Sequence, residues 1–250
     1  KDGKPLWKVS VNDFIIKAMA MALHGRWAAG PQPFRGADAW MLVGANPIVS
    51  KSIGAPPHNP SGALHEAVKS GMQLIVIDPR RTEAARLAAV HLQCRPGEDP
   101  TVIGGLIRAI LAGALHDQAF VREHATGVEA LRQAVEPLTP EYVERRADVP
   151  RELLLRAARI FATGRQGFAV VGTGPNMAPR GTLTEYLTLC LNTLCGRWLR
   201  AGEPLPGESR PPIYNAIQVV DGEGTVTASY DKAHLVPFGE SIPLKPLTGW

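Results

Sequence analysis

"QLIVIDPRRTEAARLAAVHLQCRPGEDPTVIGGLIRAIL", Gln73 to Leu111, holds two short apolar runs, and each stops abruptly in a polar loop before a helical pattern begins. "QLIVID" is short, apolar and β-branched, the composition of a buried strand. It ends at Asp78, Pro79, Arg80, Arg81 and Thr82. "TEAARLAA" reads as a helix and "VHLQC" as a second strand. "EDPTVIGGLIRAILAGAL" reads as a long helix, with Asp99 at its N-cap and Pro100 at the first helical position, a favoured pairing. Strands separated by helices of this length are the pattern of parallel pairing with helical crossovers.

The alternation continues outward. On the N-terminal side, "ADAWMLVG" predicts a strand entering the loop Gly44-Ala45-Asn46-Pro47. "GALHEAVKSG" predicts a helix closed by Gly71. On the C-terminal side comes a helical stretch, "HDQAFVREHA", "GVEALRQAV", "TPEYVERRA" and "PRELLLRAARIFATG". The strand "GFAVVGTG" and the helix "LTEYLTLCLNTLCG" follow it. The expected fold is α/β, a doubly wound parallel sheet with helices on both faces. Two flanks differ in character. Residues 1–23 read as a short capped helix, with Ser10 or Asn12 as cap and an apolar stripe through Phe14, Ile15, Ala18, Met21 and Ala22. After the Pro-rich "EPLPGESRPP", the runs "YNAIQVV" and "TVTASYD" flank Asp221-Gly222-Glu223-Gly224 and predict a β-hairpin, followed by an aperiodic tail. The expected segments are therefore 1–23, 24–206 and 207–250.

Composition limits the classes of function. A chain of 250 residues with 45% hydrophobic residues can build a sizeable core. Its formal charge of +4 suits an anionic ligand but is too small and scattered to argue for nucleic acid. Cys94, Cys190 and Cys195 form no Cys-x-x-Cys pair, which argues against a disulfide scaffold, a zinc site or iron–sulfur ligands. The expectation is a reducing, cytoplasmic setting. No run of about 18 apolar residues marks a membrane span, and "VNDFIIKAMAMAL" lacks the cleavage site of a signal peptide.

In open parallel sheets, ligands bind beyond the carboxyl ends of the strands. Asp78 is placed there to accept from a ribose hydroxyl or a base N–H. Arg80 and Arg81 offer planar forks for phosphate or for stacking. Thr82 can cap the next helix, whose first N–H groups favour an anion. At the neighbouring strand end, Gly97 lets backbone approach a ligand and Asp99 supplies a second carboxylate. Guanine offers N1–H and N2–H₂ donors that one carboxylate accepts together. "GANP" and "GTGPN" end two further strands, so four loops are expected to cradle a large nucleotide.

"ADAWMLVGANPIVS", "LIVIDPRRTEAARLAAVHLQCRPGEDPTVIGGLIRAIL" and "LNTLCGRWLRAGEPLP" resemble the molybdopterin oxidoreductases, the group of formate dehydrogenases, nitrate reductases and dimethyl sulfoxide reductases. The likeness spans roughly residues 30–206. It implies that this α/β region helps bind one guanosine half of a molybdenum-bearing bis-molybdopterin guanine dinucleotide cofactor. Gly44, Asn46 and Pro47 would then face the cofactor. Ile77, Asp78, Arg80 and Thr82 would border the guanosine, Pro96, Gly97 and Asp99 would close on it, and Gly172 and Gly174 would supply backbone. No residue is assigned as a metal ligand. The other cofactor-binding and iron–sulfur domains or subunits would be partners, and the reaction a two-electron oxidation or reduction.

The flanks resemble other families. "KVSVNDFIIKAMAMAL" is similar to the catalytic domain of 2-oxo acid dehydrogenase acyltransferases, without that family's His-x-x-x-Asp-Gly motif. "YNAIQVVDGEGTVTASYDKAHLVPFGESIPL" is similar to the nitrilase-like domain of apolipoprotein N-acyltransferases. That likeness implies catalytic roles for Lys232 and Glu240, but no cysteine follows Lys232 to complete the triad. The chain thus reads as a mosaic. Its expected activity is nucleotide binding with little turnover, either as an oxidoreductase fragment or as a nucleotide-binding module; a remnant N-acyltransferase is the alternative.

Overall fold

The computed structural model describes residues 32–51, 54–56 and 58–198, together with the backbone of residues 216–220 and 226–231. The expected N-terminal helix, the Pro-rich linker, the tail, Lys232 and Glu240 lie outside the described residues. The chain divides into two compact units, Lys1–Glu203 and Pro204–Trp250.

The first unit is built on four parallel strands: β1 (Ala39–Val43), β2 (Gln73–Ile77), β3 (Val90–Leu92) and β4 (Gly167–Val171). Their order is β3-β2-β1-β4, so β1 lies inside the sheet and is buried along its whole length. Ala39 pairs with Gln73 on one side and with Gly167 on the other. The connections are helical: α1 (Pro47–Ser50), α2 (Pro60–Lys69), α3 (Glu83–Leu87), α4 (Asp99–Ala112), α5 (Gln118–His124), α6 (Val128–Val135), α7 (Pro140–Ala147) and α8 (Arg151–Thr163). After β4 come α9 (Thr173–Asn176) and α10 (Gly181–Leu194).

Strand alternation divides the core in two. Met41, Val43, Ile75 and Ile77 face one way and pack with α4, α8 and α10, through residues such as Ile103, Ile107, Phe161 and Leu191. Trp40, Leu42, Leu74 and Val76 face the other way, toward Leu64 of α2 and Ala84 and Ala85 of α3. The sheet is thus covered on both faces. The path from β1 to β3 runs in one direction. The long helical crossover then returns past β1 to β4 on the opposite face, as right-handed connections require when direction reverses.

Among the described residues, strand β4 is an edge of the sheet and is closed by side chains. Asn192 of α10 is fully buried; its Oδ1 accepts from Ala169 N at 2.8 Å and its Nδ2 donates to Ala169 O at 3.0 Å. Gln32 Oε1 accepts from Gly167 N at 2.9 Å. Backbone groups left open at an edge are thereby paired.

Two local expectations are corrected. Helix α4 starts at Asp99 itself, with Glu98 at the N-cap and Pro100 one residue further in than the sequence suggested. Glu98 does not cap with its side chain, because Thr101 Oγ1 donates to its Oε2 at 2.6 Å and two arginines take its other oxygen. The loop "GTGPN" winds into a short helical turn, α9, from Thr173, whereas "GANP" stays a loop up to Pro47, where α1 begins.

In the second unit, β5 (Ala216–Val220) and β6 (Val226–Asp231) pair antiparallel, with a register irregularity at Val219/Val220.

Candidate functional site

The chain leaves β1 toward β2 and, much later, enters β4 on the other side. The strand order therefore reverses between β1 and β4, where a crevice forms in doubly wound sheets. A cleft of about 160 Å³ opens there, lined by Gly44, Ala45, Asn46, Arg80, Gly172 and Thr173, among others. That volume suits a phosphate or a ribose; a whole dinucleotide needs several times more. The cleft walls depend on close backbone approach. Gly172 N donates to Val43 O at 2.8 Å, and a Cβ on Gly172 would lie 2.3 Å from Gly44 O.

Arg80 is exposed and reaches this cleft from the β2 end. Its backbone N–H donates to Asp78 Oδ1 at 2.8 Å, a turn that fixes the Asp-Pro-Arg geometry. His91 Nε2 lies 2.9 Å from Asp78 O, and Gln93 Nε2 donates to Pro79 O at 3.0 Å, so β3 anchors the same loop. Asp78 and Asp99 are both largely buried, at 8% and 5% exposure, and the charge of Asp78 acts on Asp99. Burial, then Asp78, with a smaller contribution from Glu98, hold the Asp99 carboxyl above its ordinary range, against the opposing pull of its own backbone N–H and Arg180.

The structure thus brings Gly44, Asn46, Arg80 and Gly172 to one cleft, and Asp78 and Asp99 to one buried patch beside it. Pro96 is exposed on the β3 loop, where Gly97 has φ +83° and open space about its Cβ position. Gly174 is exposed on α9. Three expected site residues are turned to structural tasks. Ile77 is fully buried in the core, and its carbonyl accepts from Gly44 N at 2.8 Å. Pro47 is buried at the start of α1. Thr82 spends its hydroxyl on Ala85 N at 3.2 Å, capping α3.

An anion at the start of α3 is also disfavoured. The helix has five residues, and Glu83 in its first turn already carries a negative charge. Glu83 is held ionised below the usual carboxylate range, first by its own backbone N–H and then by Asn46, whose Nδ2 donates to its Oε2 at 2.7 Å.

Glu98, Arg180 and Arg146 join this site without a motif in the sequence to mark them. Arg180 Nη2 donates to Gly97 O at 2.5 Å and lies 3.2 Å from Glu98 Oε1; Arg146 Nη2 lies 2.9 Å from the same oxygen. Burial pushes the Glu98 carboxyl up, but hydrogen bonds from Thr101 and Arg146 and the charges of Arg180 and Arg146 outweigh it and hold the group low. The adjoining Glu98-Asp99 pair was the only local signal. None of the cysteines is a prepared nucleophile: burial pushes Cys94 and Cys195 up to about 12 and raises Cys190 as well. Among the described residues no group of three or more His, Cys, Asp or Glu side chains is arranged to hold a metal, and no helix is long and apolar enough to cross a membrane.

No protein-family model matches the chain. It is similar to F420-dependent formate dehydrogenase subunit alpha of Methanocaldococcus jannaschii, 25% identical over 226 residues, which cover 83% of this chain and 32% of that protein. It is also similar to periplasmic nitrate reductase of Desulfovibrio desulfuricans, 27% identical over 221 residues, covering 83% of this chain and 27% of the relative. Among solved structures, acetylene hydratase from Pelobacter acetylenicus superposes with a TM-score of 0.66 at 23% identity, over 81% of this chain and 27% of the other, and shares the fold. The chain spans less than a third of the length of each of these proteins. One relative is periplasmic by name, so a cytoplasmic setting is not common to all of them. With this fold and these strand-end loops, the chain is similar to one segment of much longer oxidoreductases, formate dehydrogenases and nitrate reductases among them.

Proposed function

We propose that this chain is the guanosine-binding segment of a molybdopterin-dependent oxidoreductase, holding one nucleotide end of molybdopterin guanine dinucleotide. The observation that carries this is the pairing of two sites at one sheet end. Asp78 and Asp99 form a buried carboxylate patch, and Arg80 stands at the mouth of a glycine-lined cleft at the β1–β4 switch point. An ionised Asp99 matches the two donors on the guanine edge. Asp78 serves the ribose. Arg80 and the N–H groups of the strand-end loops suit the diphosphate.

The residues present fit the nucleotide part of that group. Asn46 Oδ1 and both amide atoms of Asn176 are buried without a hydrogen-bond partner among the described residues, and both residues border the β1 and β4 loops. Unpaired buried polar atoms are costly, and a polar ligand would satisfy them. The open space about Gly97 leaves room for a base over the β3 loop. When bound in a complete enzyme, the molybdenum centre supplies two-electron redox chemistry. This chain's residues bind and orient the nucleotide, and the remaining cofactor-binding and iron–sulfur domains or subunits are its partners.

Calorimetric titration of the purified full chain with GDP and ADP tests this. GDP is expected to bind at least about tenfold more tightly than ADP, because adenine offers an acceptor where guanine offers N1–H. Asp99→Ala is expected to remove that preference, while Lys232→Ala leaves it intact. Equal binding of the two nucleotides, or an Asp99→Ala chain that still selects GDP, refutes guanosine recognition here.

A further inference from the structure

Arg180 joins two loops that issue from the two outermost strands of the sheet. It precedes α10 on the β4 side, while Gly97 and Glu98 follow β3. One guanidinium nitrogen meets both Gly97 O and Glu98 Oε1. Glu98 is the hub of this contact. Its side chain is 11% exposed and is shared between Arg180, Arg146 of α7 and the Thr101 hydroxyl. On its other side the β3 loop is tied to the end of α7 through Arg95 N, which donates to Ala147 O at 2.9 Å. Nothing packs about the Cβ position of Gly97 itself. Polar ties therefore hold this turn, and Arg180 makes the tie on the β4 side.

The same side chain sets the charge around Asp99. Among the described residues, Asp78 from the β2 end, Glu98 beside it and Arg180 act on Asp99; the Cys94 thiol at the β3 end and Arg146, through Glu98, also belong to its surroundings. His91 meets the Asp78 carbonyl, at 2.9 Å from Nε2. Among these, Arg180 is the cation acting on Asp99 against two carboxylates.

We propose that Arg180 is a positioning residue for the Asp99 carboxylate, fastening the loop that presents it and offsetting the negative charges of Glu98 and Asp78. This rests on the guanosine-binding function above and assigns that site a control over its own pH range. Guanine binding needs ionised Asp99 and is lost as pH falls. Neutralising Arg180 makes Asp99 harder to ionise and moves that loss to higher pH. Neutralising Glu98 removes a repelling charge and moves it to lower pH.

The test is the pH dependence of GDP binding by the full chain and by Arg180→Gln, Arg180→Lys and Glu98→Gln, with amide hydrogen exchange measured without nucleotide. Arg180→Gln is expected to shift the acid limb up by roughly half to one pH unit, and Glu98→Gln to shift it down by a similar amount. Arg180→Lys keeps the charge and is expected to keep the parental limb. Without nucleotide, Arg180→Gln is expected to speed exchange several-fold at the Arg95, Gly97 and Glu98 amides, although they lie more than eighty positions away in sequence. Limbs that stay in place, or that shift the same way in both neutral variants, overturn the charge role. Unchanged exchange at these amides overturns the fastening. A parental chain that binds no GDP refutes guanosine binding separately, and the exchange result still decides the tie.

Discussion

Substituting Gly44 by alanine measures how tightly the β1 and β4 ends are pressed together at the cleft. Gly44 has φ +54°, and an added Cβ would lie 2.1 Å from Pro175 Cδ and 2.5 Å from Pro175 Cγ. The proline ring is bonded to its own backbone nitrogen and cannot swing aside, so relief requires moving the loop after β4. Gly97→Ala is the matched control, since Gly97 also has positive φ, +83°, but nothing lies within 4 Å of its Cβ position. A left-handed alanine costs roughly 1–2 kcal/mol at either site. The clash at Gly44 adds about 1–3 kcal/mol, the usual range for overpacking. For a chain of this size the difference is roughly 3–10 °C in the midpoint of the principal thermal transition. Far-ultraviolet circular dichroism of the two full-length variants beside the parent measures it. Equal losses at the two glycines would refute the close approach of Gly44 to Pro175, and with it the shape assigned to the cleft.

Asn192→Leu leaves Ala169 N–H and C=O buried without partners and is expected to cost about 2–5 kcal/mol; urea unfolding with an unchanged midpoint would contradict the edge pairing. Glu98→Gln is expected to destabilise the chain by about 1–3 kcal/mol at neutral pH. Because the folded Glu98 carboxyl is held below its ordinary value of 4.5, its contribution is present above that pH and disappears as pH falls through the folded value. Parent and variant should therefore converge in acid, and a stability difference independent of pH would exclude the ion-pair cluster as its source. With Cys94 and Cys195 pushed up to about 12 and Cys190 also raised, a disulfide reagent at pH 8 should modify the native chain slowly and all three thiols at once in denaturant. Rapid labelling of Cys94 or Cys195 in the folded protein would show that these two thiols are not buried, whereas Cys190 is only partly covered.

Much of the secondary structure was legible because its causes are local. "QLIVI" is apolar and β-branched, and it is strand β2 with four of its five residues buried. Thr82 caps α3, as its position before "EAARL" suggested. Where neighbours compete, the local signal misleads: Asp99 read as an N-cap, but Glu98 occupies that place because Thr101 and two arginines fix it there. The candidate site was legible by residue type; the role of each residue was not. Asp78, Arg80 and Asp99 reach the sheet end, whereas Ile77 and Thr82, beside them in sequence, serve the core and the cap. A strand's last inward residue and a helix cap are indistinguishable from ligand contacts until packing is known.

By itself the sequence determined the alternation of parallel strands and helices, and that polar loops rich in Gly, Pro and Asp would end them, since periodicity and capping act within a few residues of the chain. Only the tertiary structure decided that β4 returns beside β1, which places the crevice at Gly44 and Gly172, and that Arg180 reaches Gly97 and Glu98. Strand order and such long-range charge contacts arise from packing two apolar faces of one sheet at once, and no short stretch of sequence carries that information.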